Sequence, residues 1–161
     1  MLCIVDHKSR SAKSITPASF GELAVRVRFD LQEWVLACPQ LLGDELLVVT
    51  AEFDQFDKTS ERLDILAVDR RGKLIVVELK RTAVGTKADL QALRYAAYCS
   101  TIGIDDVADL FAVYRQQRKL SDSQDSVEAK RQILEFIEEP EFEEFDDKPR
   151  IIRLLRSFHQ R

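Results

Sequence analysis

The stretch ERLDILAVDRRGKLIVVELK, residues 61–80, decides the fold of this chain. It holds two runs of β-forming residues, Leu63 to Val68 and Lys73 to Val77, on either side of Asp69-Arg70-Arg71-Gly72. A glycine at the end of such a connection is typical of a type I turn closed by a left-handed bulge. The stretch therefore predicts a β-hairpin with a three-residue loop.

The register of this hairpin places charged residues at its open end. If Gly72 takes a positive φ, Asp64 falls directly opposite Glu78. Because strand side chains alternate, Glu78 and Lys80 share one face and Leu79 points away. The pattern predicts that two carboxylates and an amine converge there.

The charged residues at the end of the hairpin allow two interpretations, a salt bridge or a metal site. A lone Glu-x-Lys at the end of a strand favours a plain salt bridge. However, Leu74 to Val77 is a continuous apolar run, typical of a strand covered on both faces, so the charges lie at the rim of a buried sheet. Opposed carboxylates destabilise a sheet, and a divalent cation would remove that repulsion. Two carboxylates with the Leu79 carbonyl and water suit Mg²⁺.

Several pieces of the chain resemble the PD-(D/E)xK nuclease superfamily, in its RecB-like branch with Q-x-x-x-Y. A closer resemblance is to the NucS-type endonuclease domain, over about Phe20 to Arg150. The matching pieces, in order, are Asp30-Leu31-Gln32-Glu33-Trp34, Glu61-Arg62-Leu63-Asp64, Glu78-Leu79-Lys80, and Gln91-Ala92-Leu93-Arg94-Tyr95-Ala96-Ala97-Tyr98.

The resemblance implies a fold and an activity. The fold is α/β, a central mixed β-sheet with a β-hairpin core flanked by helices, as in restriction endonucleases. The activity is hydrolysis of phosphodiester bonds in DNA with Mg²⁺ or Mn²⁺. Asp64, Glu78 and the Leu79 carbonyl would hold the metal. Lys80 would orient water or stabilise charge on the phosphate, Gln91 would orient water or a phosphate, and Tyr95 would support the same wall.

The chain departs from the family pattern at one place. Val27-Arg28 stands where a helix glutamate is expected just ahead of Asp-Leu-Gln-Glu-Trp. This predicts a weak or Mn²⁺-preferring nuclease, or an inactive one. Two rival hypotheses follow: a non-catalytic module that binds nucleic acid or a protein, and a scaffold whose charges form surface salt bridges without metal affinity.

Elsewhere the pattern predicts helices around the sheet. Gln91, Tyr95 and Tyr98 fall on one face of a predicted helix from Lys87 to Ser100. In the alternative interpretation, Gln91 is a surface amide and the two tyrosines only pack against the core. For Tyr98, this packing role is the favoured interpretation. Further elements are predicted for a helical apolar stripe (Phe20, Leu23, Val27, Leu31, Trp34 and Val35) with an Asp30 capping box, a strand from Leu46 to Phe53, a helix from Gly103 through Tyr114, and an amphipathic helix from Ser126 to Ile137.

Length and composition indicate a globular protein. The 161 residues, 45% hydrophobic and 32% charged, suggest an N-terminal arm over 1–19 and one nuclease-like domain over 20–161. We expect this domain to stop short of its relatives and to leave a sheet edge on which a second copy could pair. Without an apolar run of membrane length or a signal peptide, a cytoplasmic location is expected.

The charge distribution limits how DNA would be bound. A net charge of −4 argues against nonspecific coating of nucleic acid. A local basic path would suffice for a nuclease, and nine cations lie near the predicted site in sequence: Arg26, Arg28, Arg70, Arg71, Lys73, Lys80, Arg81, Lys87 and Arg94. The acidic run from Glu135 to Asp147 is read as a connector with aromatic anchors. The three cysteines, without Cys-x-x-Cys spacing, indicate incidental thiols.

Overall fold

The structure, a computed structural model, describes residues 2–18, 20–53, 63–80, 94–95, 97–138, 142–146 and 148–155. Six strands and three helices with assigned bounds are found there. The strands are β1 (Leu2–Asp6), β2 (Ser11–Ile15), β3 (Leu46–Phe53), β4 (Leu63–Asp69), β5 (Leu74–Lys80) and β6 (Arg150–Leu155). The helices are α1 (Gln32–Ala37), α2 (Ile104–Gln117) and α3 (Ser126–Phe136), with a π-helix at Val27–Leu31 and a 3-10 helix at Pro39–Leu42.

The core is a four-stranded mixed sheet in the order β3-β4-β5-β6. β4 pairs antiparallel with β3 and with β5, and β6 pairs parallel to β5. Residues 65–68 and 74–79 are all buried, so both faces of the central strands are covered. The predicted α/β class, a mixed sheet built on a hairpin and flanked by helices, is confirmed.

The hairpin turn has the predicted geometry. Gly72 has a φ of +76°, and the Asp69 amide donates to the Lys73 carbonyl at 3.0 Å. The Asp69 carboxylate accepts from the Arg71 and Lys73 amides at 2.9 Å each. These contacts fix a three-residue loop, and with it the register of β4 against β5.

The acidic run after α3 packs against this turn through its aromatic residues, as predicted. The Phe142 and Phe145 rings meet edge to face with centroids 5.2 Å apart. Phe142 lies so close to Gly72 that a Cβ there would be 2.4 Å from the ring. Lys73 Nζ pairs with Asp146 at 2.7 Å. A glycine at position 72 is therefore required by both the turn and the packing.

The segment before α1 differs from the predicted stripe. The Leu31 amide donates to the Arg26 carbonyl at 3.3 Å, an i to i−5 bond of the π-helix. Residues 20–24 form turns instead of a helix, and Leu23 is 60% exposed. The wider π turn then rotates α1, so Leu31 and Val35 are buried while Trp34 is 46% exposed. The single regular stripe was therefore wrong.

The predicted capping box at Asp30 was also wrong. The Asp30 carboxylate reaches back to the Arg26 amide at 2.7 Å and to the Arg26 guanidinium. Glu33 instead bonds Arg118 of the loop after α2. The Arg118 hydrogen bond lowers the pKa of Glu33, which stays ionised.

The remaining helices match the sequence pattern. α2 begins at Ile104, where the Gly103 amide donates to Asp106 at 2.8 Å. α3 begins after Asp125, whose carboxylate accepts from the Glu128 amide at 3.0 Å. Such side-chain caps satisfy amides that have no partner inside the helix. No helix in the described part of the chain is apolar and extended enough to cross a lipid bilayer.

The N-terminal residues form a small hairpin of their own. β1 and β2 pair antiparallel from Leu2 and Ile15 to Asp6 and Ser11, and residues 3–18 are exposed. The Asp6 carboxylate accepts from Ser9 and from the Lys8 amide, which closes the turn. The predicted boundary between an N-terminal arm over residues 1–19 and a nuclease-like domain over residues 20–161 stays a prediction.

The three cysteines are free thiols, and this gives a first prediction. Cys3 and Cys38 are exposed, whereas Cys99 is buried and its burial raises the pKa of its thiol to about 12. Because the thiolate is the reactive form, iodoacetamide should alkylate Cys3 and Cys38 in the native protein and Cys99 only in denaturant. Intact mass spectrometry counts the labels. Rapid native labelling of Cys99 would contradict its position in the core.

Candidate active site

Two residues with carboxylate side chains face each other at the open end of the central hairpin. Ladder pairs run from Val68 and Leu74 to Ile65 and Val77, and one residue further this register sets Asp64 opposite Glu78. The prediction of their register is confirmed. Hydrogen-bonded pairs alternate along the ladder from Asp69 onward, so Asp64 and Glu78 form a non-hydrogen-bonded pair, in which opposed side chains approach most closely.

Asp64 is held by the backbone of the facing strand. The Leu79 amide donates to Asp64 Oδ2 at 2.7 Å. This bond lies beyond the last ladder pair, so the carboxylate takes the place of a strand carbonyl. The N–H and C=O of one strand residue point toward the same neighbour, so the Leu79 carbonyl also faces β4, beside Asp64.

Glu78 is among the few buried charged groups in the described residues, with 3% exposure. Its location follows from the sequence, because it continues the apolar run of β5. A carboxylate is rarely buried at this level unless a cation or hydrogen-bond donors compensate the lost hydration. The site therefore combines the buried carboxylate of Glu78 on β5 with the carboxylate of Asp64, the facing residue on β4.

The register extends this pair into a row of charged positions across the sheet. In β3, Ala51 opposes Ile65 and Phe53 opposes Leu63, so Glu52 stands opposite Asp64. In β6, Arg153 is the partner of Glu78 and is exposed. Sequence reasoning missed both residues, because the connection between β3 and β4 and the start of β6 do not fix a register by themselves.

Glu52 has an unusual backbone. Its φ is +54°, a left-handed conformation that is uncommon outside glycine and that clusters at functional sites. β3 also carries a bulge between Val48 and Thr50. Bulges redirect side chains next to active sites.

The other predicted site residues are only partly within the described chain. Lys80 ends β5, and its side chain lies outside the described residues, as does the whole of Gln91. Residues 94–95 and 97–99 are helical, in agreement with the end of the predicted helix. Tyr95 is 1% exposed within the core and Tyr98 is half-buried. Burial, with smaller effects from Cys99 and Asp106, raises the pKa of Tyr98.

The expected basic path is wrong for the residues of the hairpin turn. Arg70, Arg71 and Lys73 follow Asp69, which ends β4 five residues from Asp64, or about 17 Å along the strand. Arg70 pairs there with Glu45 at 3.0 Å and packs over Phe136. These cations are close to the carboxylates in sequence but lie at the opposite end of the hairpin. There Arg70 pairs with Glu138 and Lys73 with Asp146 of the acidic run.

The donor set at the open end fits a hard divalent cation. It offers carboxylate oxygens from adjacent strands and the Leu79 carbonyl, which are the oxygen ligands that Mg²⁺ takes together with water. Sets of three acidic, histidine or cysteine ligands were not found within the described ranges. Within the described residues, the open end of the hairpin offers the Asp64 and Glu78 carboxylates and the Leu79 carbonyl as possible ligands.

Comparison with known proteins bears on this site. A family model described as the endonuclease NucS C-terminal domain matches residues 27–139, well over half of the chain. The chain belongs to the NucS C-terminal domain family. No curated protein and no solved structure matches it. The matched residues include β3, β4 and β5, so the carboxylate pair lies inside the shared NucS domain, whereas the β1/β2 hairpin and β6 lie outside the match.

Proposed function

We propose that this NucS-type domain is a metal-dependent endonuclease that hydrolyses phosphodiester bonds in DNA. One observation supports it above the others. Asp64 and Glu78 stand opposite each other at the end of a buried hairpin, inside a domain of a nuclease family. A mere structural role is disfavoured because opposed carboxylates reduce the stability of a sheet.

The proposed metal ligands are Asp64, Glu78 and the Leu79 carbonyl, with Mg²⁺ or Mn²⁺ as the ion. Such an ion polarises a phosphoryl oxygen and lowers the pKa of a water molecule. The protein fixes the ligands in advance: the Leu79 amide holds Asp64, and burial restricts Glu78. Little reorganisation would accompany the reaction, which is the basis of electrostatic catalysis.

The remaining roles are assigned to three residues around this pair. Lys80, two positions after Glu78 on the same strand, orients the attacking water or stabilises charge on the phosphate. Gln91 orients the water or a phosphate oxygen. Tyr95 supports the wall from the core, in agreement with its near-complete burial.

The direct experiment is a cleavage assay across metals and DNA structures. The protein is titrated with Mg²⁺ and with Mn²⁺ in the presence of labelled duplex, flap and mismatch substrates, with EDTA as the blank. The proposal expects cleavage that requires one of the two ions. Absence of cleavage with every substrate and both ions would exclude the enzyme and leave a binding module.

A second prediction separates chemistry from binding. Lys80→Met should reduce the single-turnover rate about 10²-fold, because it removes a group that acts on the reacting phosphate. DNA affinity should fall only a few-fold, since one phosphate contact among several carries a small share of binding. Lys148→Met, with the same change at an exposed position, is the control. Loss of affinity with an unchanged saturated rate would make Lys80 an ordinary phosphate contact.

A weak or inactive nuclease is the second candidate, and it rests on Val27. Valine and arginine occupy positions 27 and 28, where the family pattern leads us to expect a glutamate, and Val27 begins the π-helix beside α1. Val27→Glu should then lower stability without metal, regain it with Mg²⁺, and increase cleavage. Melting temperatures with and without Mg²⁺ test this; a loss that metal does not restore would remove position 27 from the site.

A further inference from the structure

The N-terminal hairpin is a basic element in an acidic chain. We name residues 2–15 the N-terminal ribbon, which comprises β1, β2 and the turn that joins them. The ribbon carries three cations, Lys8, Arg10 and Lys13, against one anion, Asp6, which is a net charge of +2. Since the whole chain has a net charge of −4, the rest of it has −6. The ribbon is therefore positively charged on a chain whose remainder is negative.

The ribbon is open to solvent on both faces. Residues 3–18 are all exposed, and successive side chains of a strand point to opposite faces. Ile4 and Val5, one on each face, are 60% and 72% exposed. A two-stranded hairpin of this kind is only marginally stable in water on its own. A binding partner that covers the ribbon would therefore stabilise it.

The cations lie at the tip of the ribbon and along β2. Lys8 and Arg10 belong to the turn, and Lys13 lies about 7 Å beyond the start of β2. Asp6, the one acid, is directed toward the turn, because its carboxylate accepts hydrogen bonds from the turn residues at 2.7 and 2.9 Å. The surface that the ribbon presents to a partner is therefore basic.

Arg10 has a backbone conformation that an arginine rarely adopts. Its φ is +53°, in the left-handed region where glycine avoids the steric cost of a side chain. Residues held in this conformation cluster at functional sites, including ligand clamps. Because the turn by itself favours glycine here, a binding role of the exposed guanidinium accounts for the arginine.

Three anionic partners suit a basic ribbon, and the structure favours DNA among them. The acidic run of a second copy is disfavoured, because Glu138 and Asp146 already pair with cations of their own hairpin turn, at 3.2 and 2.7 Å. A lipid bilayer requires a continuous apolar face, whereas Lys13 lies beside Ile4 on the same face of the ribbon. The major groove of DNA admits a two-stranded β-ribbon and is bordered by phosphates.

We infer that the N-terminal ribbon enters the major groove of duplex DNA, with Lys8, Arg10 and Lys13 on the phosphates. Contacts to phosphates position a protein on the duplex without reading its sequence. The choice of DNA rests on the proposed function, because a DNA nuclease binds this polymer. The ribbon lies before residue 27, where the match to the NucS domain begins, so this contact is an addition to that domain.

The test measures DNA binding apart from cleavage. The full chain is titrated in EDTA against a labelled duplex at several KCl concentrations, and fluorescence anisotropy gives the affinity. Arg10→Gly removes the cation and relieves the left-handed backbone, so the melting temperature should not fall. The affinity should fall several-fold, and the slope of log K against log[KCl] should become shallower by about 1, the value for one phosphate contact.

Lys119→Gly is the matched control. Lys119 is exposed and has a φ of +57° just after α2, where left-handed residues are common. This control also replaces a left-handed cation by glycine, and it should leave the salt slope unchanged. The triple variant Lys8→Gln, Arg10→Gly, Lys13→Gln should reduce the slope by about 3. Methyl green, which occupies the major groove, should compete with the wild type, and distamycin, which occupies the minor groove, should not.

Unchanged salt slopes in both Arg10→Gly and the triple variant would overturn the inference, as would competition by distamycin alone. If the triple variant keeps its duplex affinity but loses self-association or binding to phosphatidylglycerol vesicles, the ribbon belongs to a second copy or to a membrane, and the inference is wrong. Cleavage with unchanged slopes would overturn only the role of the ribbon. Altered slopes without any cleavage would overturn only the proposed nuclease activity.

Discussion

Glu78→Gln is expected to reduce metal-dependent DNA cleavage about 10³-fold while the fold remains intact. The glutamine keeps the shape of a residue that is 3% exposed but removes a charged oxygen ligand, and a loss of about 4 kcal/mol in transition-state stabilisation gives this factor. Asp64→Asn should act in the same direction. Single-turnover cleavage of a labelled duplex, with circular dichroism as a check on folding, measures the effect.

The same two substitutions, Glu78→Gln and Asp64→Asn, should not lower the stability of the metal-free protein. Removing one of two opposed carboxylates reduces their repulsion in metal-free protein, so both variants should melt at the wild-type temperature or above it. Glu45→Gln, the same change beside the hairpin turn, is the matched control and should leave cleavage unchanged, because Glu45 pairs with Arg70. Wild-type cleavage by either site variant would show that the pair does not take part in the reaction.

Gly72→Ala is expected to destabilise the fold strongly, although it adds only one methyl group. The left-handed backbone, with a φ of +76°, costs about 1–2 kcal/mol for alanine. In addition, the new Cβ would lie 2.4 Å from the Phe142 ring, and forcing such a contact costs about 1–3 kcal/mol. The sum is about 2–5 kcal/mol in the free energy of unfolding, measured by urea denaturation.

Gly43 supplies a matched control for this prediction. Its φ is +89°, and a Cβ there would meet nothing within 4 Å. Gly43→Ala should therefore show only the backbone cost of about 1–2 kcal/mol. Phe142→Ala in the Gly72→Ala background should recover part of the additional loss. Equal losses for Gly43→Ala and Gly72→Ala would mean that the acidic segment does not pack on the turn.

The sequence was sufficient for the hairpin because local chemistry determines it. The turn residues Asp69 and Gly72 fix the loop, the loop fixes the register, and the register places Asp64 opposite Glu78. The bounds of β3, Leu46–Phe53, also follow from the pattern of apolar residues alone. The positions of β3 and β6 beside the hairpin depend on long-range strand pairing, which the sequence pattern does not reveal.

The errors arose where the structure departs from regular periodicity or linear proximity. Residues 20–24 form turns, so helical spacing does not apply to Leu23. The π-helix at Val27–Leu31 then changes the rotation per residue, and a regular stripe wrongly assigned Trp34 to the core. Arg70 was expected near the carboxylates because only a few residues separate them. An extended strand places residues that are a few positions apart far from each other in space. Arg70 lies at the turn end of β4, whereas Asp64 lies at the opposite end.

Glu52 and Gln32 were missed for a different reason. Glu52 stands opposite Asp64 only through the pairing of β3 with β4, and sequence patterns do not reveal the register across a long connection. Gln32 is only 4% exposed, although nothing in the sequence distinguishes it from an exposed polar residue of a helix. Both positions depend on tertiary contacts.

Binding of Mn²⁺ followed by electron paramagnetic resonance tests the central claim most directly, because it observes the metal site without DNA. The account predicts a saturable site in the wild type that is strongly weakened in both Asp64→Asn and Glu78→Gln and retained in Glu45→Gln. Unchanged Mn²⁺ binding in both site variants would contradict the assignment of this carboxylate pair as the metal site.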